Sequence, residues 1–487
     1  MLKLSQIFAR KRTPQETQSW TGAALAPAFI ILITAFALWF MPPPTGLEVG
    51  AWHLLIIFLG TIIGIILKPL PMGAIATLGL SLCVITNLIP LQQSLSSFSS
   101  PIVWLVLSAF FIARGFVKTG LGSRIAYYFM TFLGRSSLGL SYGLVLTDFF
   151  LSPVIPSNTA RGGGIIFPIV QSLSNEYGSS PNTNSQRKIG AFLTQVAFQA
   201  NLVTSAMFLT AFAGNPLAAK LAKEVGVIMN WGTWAIAGIV PGLVHLALLP
   251  LFLFFIYPPT LKKTPEAPEL ARKKLKEMGP LSFHEITMLL IFALLLVLWI
   301  FGGNFGVEPT TAALLGLSLL LFTGVLSWDD ILHEKAAWDT FFWLAILLGL
   351  AGALSDYGII KWFGSGVENF VGLLSKPVAF GVLSILYFYC HYFFASGTAH
   401  ITSLYVMFLI AIVSTGISAP LATFVLAVFA SLSSGLTHYG TGAAPVFFGG
   451  NFIPVRTWWR LGFLCSLLTL LVWGVVGGLW WKFLGYW

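Results

Sequence analysis

Apolar segments of bilayer-spanning length recur along almost the whole chain, separated by short polar turns rich in glycine and proline. A helix needs about 20 mostly apolar residues to cross the hydrocarbon core of a membrane. Segments near 21–41, 52–67, 72–90, 101–117, 189–213, 232–256, 285–303, 308–326, 338–354, 420–450 and 461–481 meet or approach that length. Two more apolar stretches, 138–175 and 377–415, are interrupted by polar tips, Pro156-Ser157-Asn158-Thr159 in one and Ser396-Gly397-Thr398 in the other. The pattern predicts an all-α polytopic membrane protein with about eleven transmembrane helices and two re-entrant hairpins. Non-helical backbone at membrane depth is tolerated only where it is buried in protein or lines a cavity, so both tips belong inside the bundle.

Composition sharpens this. Of 487 residues, 57% are hydrophobic and only 9% are charged, against roughly 25% in ordinary globular chains. The mean hydropathy is +0.87. The formal net charge of +10 does not point to nucleic acid, because the basic residues sit in short loops. Lys3, Arg10, Lys11 and Arg12 precede the first span; Lys118, Arg124 and Arg135 follow the fourth; Lys262, Lys263, Arg272, Lys273, Lys274 and Lys276 occupy the central loop. Loops 42–51 and 91–100 contain neither Lys nor Arg. Basic loops stay in the cytoplasm, which puts the N-terminus inside, both ends of the first hairpin inside and the C-terminus outside. The organisation expected is a cytoplasmic segment 1–20, a first repeat 21–256 with hairpin 138–175, a cytoplasmic loop 257–284 and a second repeat 285–487 with hairpin 377–415. The apolar run at 23–40 ends in Met41-Pro42-Pro43-Pro44 without a small-residue cleavage site, so it reads as a span rather than a signal peptide. Cys83, Cys390 and Cys465 lie in apolar segments and suggest no disulfide framework or metal cluster.

The halves repeat. Leu78-Gly79-Leu80-Ser81-Leu82 recurs as Leu315-Gly316-Leu317-Ser318-Leu319, with Thr86 and Leu95 matched by Thr323 and Leu332. Gly120 and Gly134 match Gly358 and Gly372, and Ser157 and Thr159 match Ser396 and Thr398. The spacing drifts only from 237 to 239 residues. An odd number of spans makes the two halves oppositely oriented, an arrangement that marks secondary transporters holding substrate between two repeated half-sites.

Candidate chemistry follows from the tips. The start of a returning half-helix presents free N–H groups and the positive end of the helix dipole, which suits an anion. Ser157, Asn158, Thr159, Ser396 and Thr398 add short donors, Gly397 lies between the last two, and Gly162-Gly163-Gly164 after Arg161 lets backbone or ligand approach closely. Arg161 and His400 occupy matched positions four residues after each tip serine, and are expected to form a cationic pair facing a dianion. Two later segments break apolar runs: Thr210-Ala-Phe-Ala-Gly-Asn215-Pro216 and Thr437-His-Tyr-Gly-Thr441-Gly-Ala-Ala-Pro445, from which Asn215 and Thr441 are candidate ligands. No cofactor, resident metal or catalytic function is expected: His53, His245, His284, His333, His391 and His438 show no ligand-like pairing with Asp or Glu on one helix. A channel is a third class, disfavoured by the two hairpins.

These residues resemble the divalent anion/sodium symporter (DASS) family, whose members carry a Ser-Asn-Thr motif at each of two hairpin tips. The likeness runs from Trp52 to Trp458-Trp459-Arg460-Leu461-Gly462. The stretches Pro156–Pro168 and His391–His400 look like the branch of bacterial citrate/succinate and tartrate/succinate exchangers and plastid 2-oxoglutarate/malate translocators. The resemblance implies an elevator-type homodimer in the cytoplasmic membrane that carries small di- or tricarboxylates (2-oxoglutarate, malate, succinate, fumarate, citrate or tartrate). Gly397 stands where sodium-coupled members have Asn, and Ala213-Gly214-Asn215 and Thr441-Gly442-Ala443-Ala444 replace their oxygen- and proline-rich breaks. Fewer oxygens for sodium imply sodium-independent antiport, with a sodium-coupled dicarboxylate symporter as the alternative.

Overall fold

The computed structural model describes residues 22–359, 361–362 and 375–487. The expected cytoplasmic segment 1–20 and the repeat glycine Gly372 lie outside the described residues.

Among the described residues the secondary structure is helical, apart from an isolated bridge between Ser136 and Lys263. Among the described residues seven helices are long and apolar enough to cross a membrane, and Leu25–Trp39, Met72–Ile85 and Pro309–Phe322 are shorter apolar helices. Exposed Phe322, Ile85, Phe255 and Leu290 form an outer surface suited to lipid.

The repeat seen in the sequence is also a repeat of local geometry. Thr86 and Thr323 both close their helices by donating the hydroxyl to the carbonyl four residues back, at 2.6 and 2.7 Å. Gly120 and Gly358 both adopt left-handed backbone, with φ of +73° and +70°, where a Cβ would be strained. Ser157 and Ser396 both cap the returning arm of a hairpin, and each arm passes through a π-helical turn, Gly162–Ile166 or Ile401–Tyr405. Such turns interrupt α-helices most often at functional sites.

Each hairpin consists of two helical arms around a non-helical tip. In the first, Ser137–Leu151 runs in and Asn158–Glu176 runs out, with Pro153 and Pro156 denying the tip a helical N–H. Fifteen residues span roughly 22 Å as a helix, short of the hydrocarbon core. In the second, Lys376–Tyr389 leads through a tight Cys390–Phe393 turn and extended Phe394 to Gly397–Ser414.

The two later runs are broken, at the segments 210–216 and 437–445 that the sequence marks as breaks. Gly190–Met207 stops at Phe208 and resumes only as Gly214–Leu221; Ala419–Leu432 stops and resumes as Ala443–Gly449. The first of these helices is buried along its entire length and forms the centre of the bundle. The two helices cross there: Ser431 donates to the Leu202 carbonyl at 3.2 Å, and Gln199 donates to Gly435 at 3.1 Å.

The basic loops gather at one end. Thr260 and Leu261 donate backbone N–H to Arg187 and Lys188, Thr264 donates to Arg135, and Asn182 to Asn451. Two helices that the span pattern does not predict, Leu121–Leu133 and Ala267–Glu277, pack on each other at this end. Arg124 anchors the first of them, bonding the buried Glu285 carboxylate and the Gly279 carbonyl at 2.8 Å. Leu121–Leu133 is amphipathic and only 13 residues long, and Ala267–Glu277 is polar, so neither reads as a span.

Candidate functional site

The two tips are alike in what they leave free. Ser157 Oγ accepts the Ala160 N–H at 3.1 Å, and Ser396 Oγ accepts that of Ala399 at 3.4 Å. The Arg161 and His400 amides return to the cap carbonyls. The amides of Asn158, Thr159, Gly397 and Thr398 come first in their helices and have no intrahelical acceptor. Both serines act as caps through their acceptors, and their O–H groups remain donors. Each tip therefore offers a pair of aligned N–H groups and a hydroxyl.

The broken helices bring the tips to one place. Asn158 Nδ2 donates to Thr441 Oγ1 at 2.9 Å, linking the first tip to the second break. A Cβ on Gly442 would lie 2.5 Å from Thr159 Oγ1, so the threonine rests directly on that glycine. The second tip meets the first break: a Cβ on Gly397 would lie 2.9 Å from Phe212 Cζ and 3.2 Å from Ser434 Oγ. Arg161 Nη1 also donates to the Ala211 carbonyl at 2.7 Å, and His391 Nε2 bonds the Gly440 carbonyl at 2.8 Å. Each hairpin thus touches both breaks. Asn158 and Thr398 are each 5% exposed, and the Thr398 hydroxyl makes no hydrogen bond among the described residues. The site is closed here. An open hollow of about 570 Å³, lined by Glu176, Tyr177, Lys188 and Lys263, lies at the basic end instead.

Arg161 is placed differently from its expected role. The guanidinium is fully buried behind the tip and is paired with Asp148, Nε to Oδ1 at 3.2 Å. Its remaining N–H groups go to Ile155 O at 2.6 Å, Ala211 O, Ser205 Oγ at 2.8 Å, and Thr204 at 3.4 Å. Asp148 in turn accepts from Asn201 at 3.0 Å and from Thr204. Five donors are spent on protein and the charge is cancelled, so no cation faces a ligand from this half. The reason is physical: an unpaired guanidinium at this depth is too costly, and the neighbouring helices supply oxygens to surround it.

His400 is likewise interior. Its ring stacks on Tyr387 at 4.3 Å and Phe394 at 5.1 Å, and its Nδ1 lies 2.9 Å from His391 Nδ1. Two imidazoles in hydrogen-bond contact are not two cations. Asn215 spends its amide on the Ser205 and Phe208 carbonyls, at 2.7 and 2.8 Å, and thereby holds the end of Gly190–Met207. In this conformation Arg161 and His400 face protein groups, whereas Asn215 keeps a buried Oδ1 without a partner among the described residues. Ser157, Asn158, Thr159, Ser396, Gly397, Thr398 and Thr441 line the junction.

Asp148, His391 and Phe212 carry much of this geometry and were not singled out from the sequence. Asp148 had a signal: it is the sole acidic residue of 138–175, in an apolar arm, and such a residue calls for a buried partner. Phe212 had none, because an aromatic in an apolar chain is unremarked until its ring is seen against Gly397.

Comparison with known proteins agrees in kind. The family described as "Sodium:sulfate symporter transmembrane region" matches residues 23–487. The chain is 53% identical to "Putative malate transporter YflS" of Bacillus subtilis, covering 96% of this chain and 98% of that protein. It is 48% identical to "Dicarboxylate transporter 1, chloroplastic" of Spinacia oleracea, covering 97% and 84%. It is 36% identical to the "L-tartrate/succinate antiporter" of Escherichia coli K12, covering 94% and 97%. Among solved structures, the YdaH transporter of Alcanivorax borkumensis shares the fold, with TM-score 0.56 at 15% identity over 82% of this chain and 89% of that one.

Proposed function

We propose that this chain, which belongs to the sodium:sulfate symporter transmembrane family, exchanges di- or tricarboxylates across the cytoplasmic membrane without sodium. The observation that carries the reading is the convergence of two capped tips, each with two free N–H groups, on breaks that supply Thr441 and Gly442. Two donor clusters in one junction suit an anion with a carboxylate at each end. Hydrogen bonds to a charged group contribute about 1.5–3 kcal/mol each, so a site without formal charge suffices. Relatives named for malate, dicarboxylates and tartrate/succinate support that substrate class.

Sodium independence is supported by the space around each tip. The oxygens of Ile155, Ala211, Ser205 and Asp148 that surround the first half are filled by a fixed guanidinium. At the second tip Phe212 and Ser434 occupy the room an asparagine would need at Gly397. In this reading the hairpins and broken helices move as one body in a homodimer, the basic end faces the cytoplasm, and the C-terminus lies outside. Counterflow in proteoliposomes preloaded with malate, succinate, 2-oxoglutarate, fumarate, tartrate or citrate tests it. Uptake of labelled acid that needs an internal acid, and that continues when choline replaces sodium, is the expected result. Uptake into empty vesicles driven by a sodium gradient overturns exchange and installs the symporter.

A further inference from the structure

We propose that His391 and His400 form a buried proton site, which takes up one proton as the carrier binds its dianion and gives it back as the dianion leaves. The proposal rests on the carboxylate-exchange reading above and adds the proton as a second ligand.

Hydrogen-bond chemistry fixes the protons of the pair. His391 Nε2 lies 2.8 Å from the Gly440 carbonyl, which can only accept, so this nitrogen carries N–H. In a neutral His391 the other nitrogen, Nδ1, is then a bare acceptor. His400 Nδ1, 2.9 Å away, must supply the proton between them. His400 Nε2 is left bare; it is fully buried and makes no hydrogen bond among the described residues, and the Tyr387 backbone carbonyl lies near the ring as an acceptor for a further proton. It is the one nitrogen of the pair able to gain a proton, which turns His400 into an imidazolium still donating Nδ1–H to His391. Both rings cannot be charged, since two N–H groups would then point at each other. The pair therefore has two states, neutral and singly positive.

Its position ties those states to the site. His400 lies two residues beyond Thr398, in the first turn after the second tip. His391 grips Gly440, the residue before Thr441, which receives Asn158 from the first tip. Other titratable groups nearby are neutral phenols and a thiol. Tyr387 stacks on His400, Cys390 and Tyr392 flank His391, Tyr405 follows on the returning arm, and Tyr439 bonds the Tyr392 carbonyl. His438, in the same break, accepts from Trp459 Nε1 at 3.0 Å, and His53, on Val49–Leu67, stacks on Trp39. Ala419–Leu432 carries no ionisable side chain, and Gly214–Leu221 carries only Lys220, in its last turn. Arg161, at the first tip, is cancelled by Asp148.

The His pair is thus the element of the junction that can change its charge. A lone imidazolium and a lone dianion are each costly when buried, and together each lowers the cost of the other. Binding of one must then favour the other by the same factor. The proton comes from the aqueous phase on the loading side, resides on His400 Nε2, and returns to water where the dianion is released. No other reactant is consumed.

Titration calorimetry of the purified full-length chain with malate and succinate, at pH 7.5 in two buffers of different ionisation enthalpy, counts protons taken up per dianion. Wild-type protein is expected to take up a measurable fraction of one proton, with affinity falling by up to tenfold per pH unit on the alkaline side. His400→Asn keeps an N–H for His391 Nδ1 but has no counterpart of Nε2, and is expected to take up none and to lose that pH dependence. His391→Gln keeps the donor to Gly440 and removes the Nδ1 acceptor, and is expected to shift the pH dependence. A wild-type count of zero overturns the proton site whether or not either variant folds. Counterflow with a zero count removes the proton site alone, whereas absence of counterflow with every acid removes the carboxylate reading and the proton site with it.

Discussion

Replacing Asp148 by Asn tests whether Arg161 holds the first tip or binds the substrate. The carboxylate is 1% exposed; one oxygen receives Arg161 Nε and Asn201, and the other receives Thr204. The substitution keeps the shape and removes the charge, leaving a guanidinium that is itself 0% exposed without its counter-ion. Breaking a buried ion pair from one side costs about 3–5 kcal/mol. At 1.36 kcal/mol per factor of ten, that lowers the ratio of folded to unfolded protein by about 160- to 5,000-fold. Thermal unfolding in detergent is therefore expected to drop sharply for Asp148→Asn and for Arg161→Gln singly. The double variant should recover part of the loss, because it leaves neither charge alone. Substrate affinity should fall only to the extent that the tip loosens. Arg161→Gln that melts like wild type while losing affinity would refute this account and make the guanidinium a ligand.

Asn158→Ala and Thr398→Ala are each expected to weaken dicarboxylate binding about tenfold or more, from about 1.5–3 kcal/mol per charged hydrogen bond, with the protein still folded and only a small drop in unfolding temperature for Asn158→Ala, which loses its bond to Thr441; calorimetry and melting curves together check this. Gly397→Asn should abolish exchange without creating sodium dependence, since its Cβ would already meet Phe212 at 2.9 Å; counterflow with and without sodium decides. Gly442→Ala, which forces Thr159 Oγ1 from 2.5 Å, should reduce the maximal exchange rate measured in the same vesicles.

The fold was legible wherever a rule of burial writes itself into composition. The span at 232–256 reappears as Trp231–Ile256 and that at 101–117 as Pro101–Thr119, because a helix that crosses the bilayer needs a long, mostly apolar run. The repeat was legible because Thr86 with Thr323, Gly120 with Gly358 and Ser157 with Ser396 perform backbone tasks that few residue types can perform. Helices Leu121–Leu133 and Ala267–Glu277 were not, because a helix lying at a surface needs only one apolar face. The site divides along the same line. The tips and breaks announced themselves by polarity, whereas the partners of Arg161 and His400 depend on which helix lies against them. Asp148 is thirteen residues from Arg161 and Ser205 is forty-four. No local pattern distinguishes a cation aimed at a ligand from one enclosed by its own fold.

That distinction changes how exchange must be enforced. With Arg161 free, the empty carrier would bear a fixed positive charge, and returning it without a dianion would be electrostatically costly. With Asp148 beside it, that charge is gone. What remains in the empty site is a set of unpaired donors: the first two amides of each returning arm and the Thr398 hydroxyl. An amide-like donor moved from water into an apolar passage without an acceptor costs about 1–3 kcal/mol on the protein scale. Four such amides impose a barrier of several kcal/mol that one two-ended anion removes by accepting from both tips. The Asn158–Thr441 bond offsets only a side-chain amide in the ligand's absence and leaves those backbone groups bare. On the proposed exchange reading, the coupling then follows from unsatisfied hydrogen bonds rather than from net charge. It should accordingly persist at high ionic strength, where a barrier arising from exposed charge would be screened. Counterflow of malate against malate at low and at molar salt separates the two: a leak from preloaded vesicles that rises with salt, without external acid, would return the coupling to electrostatics.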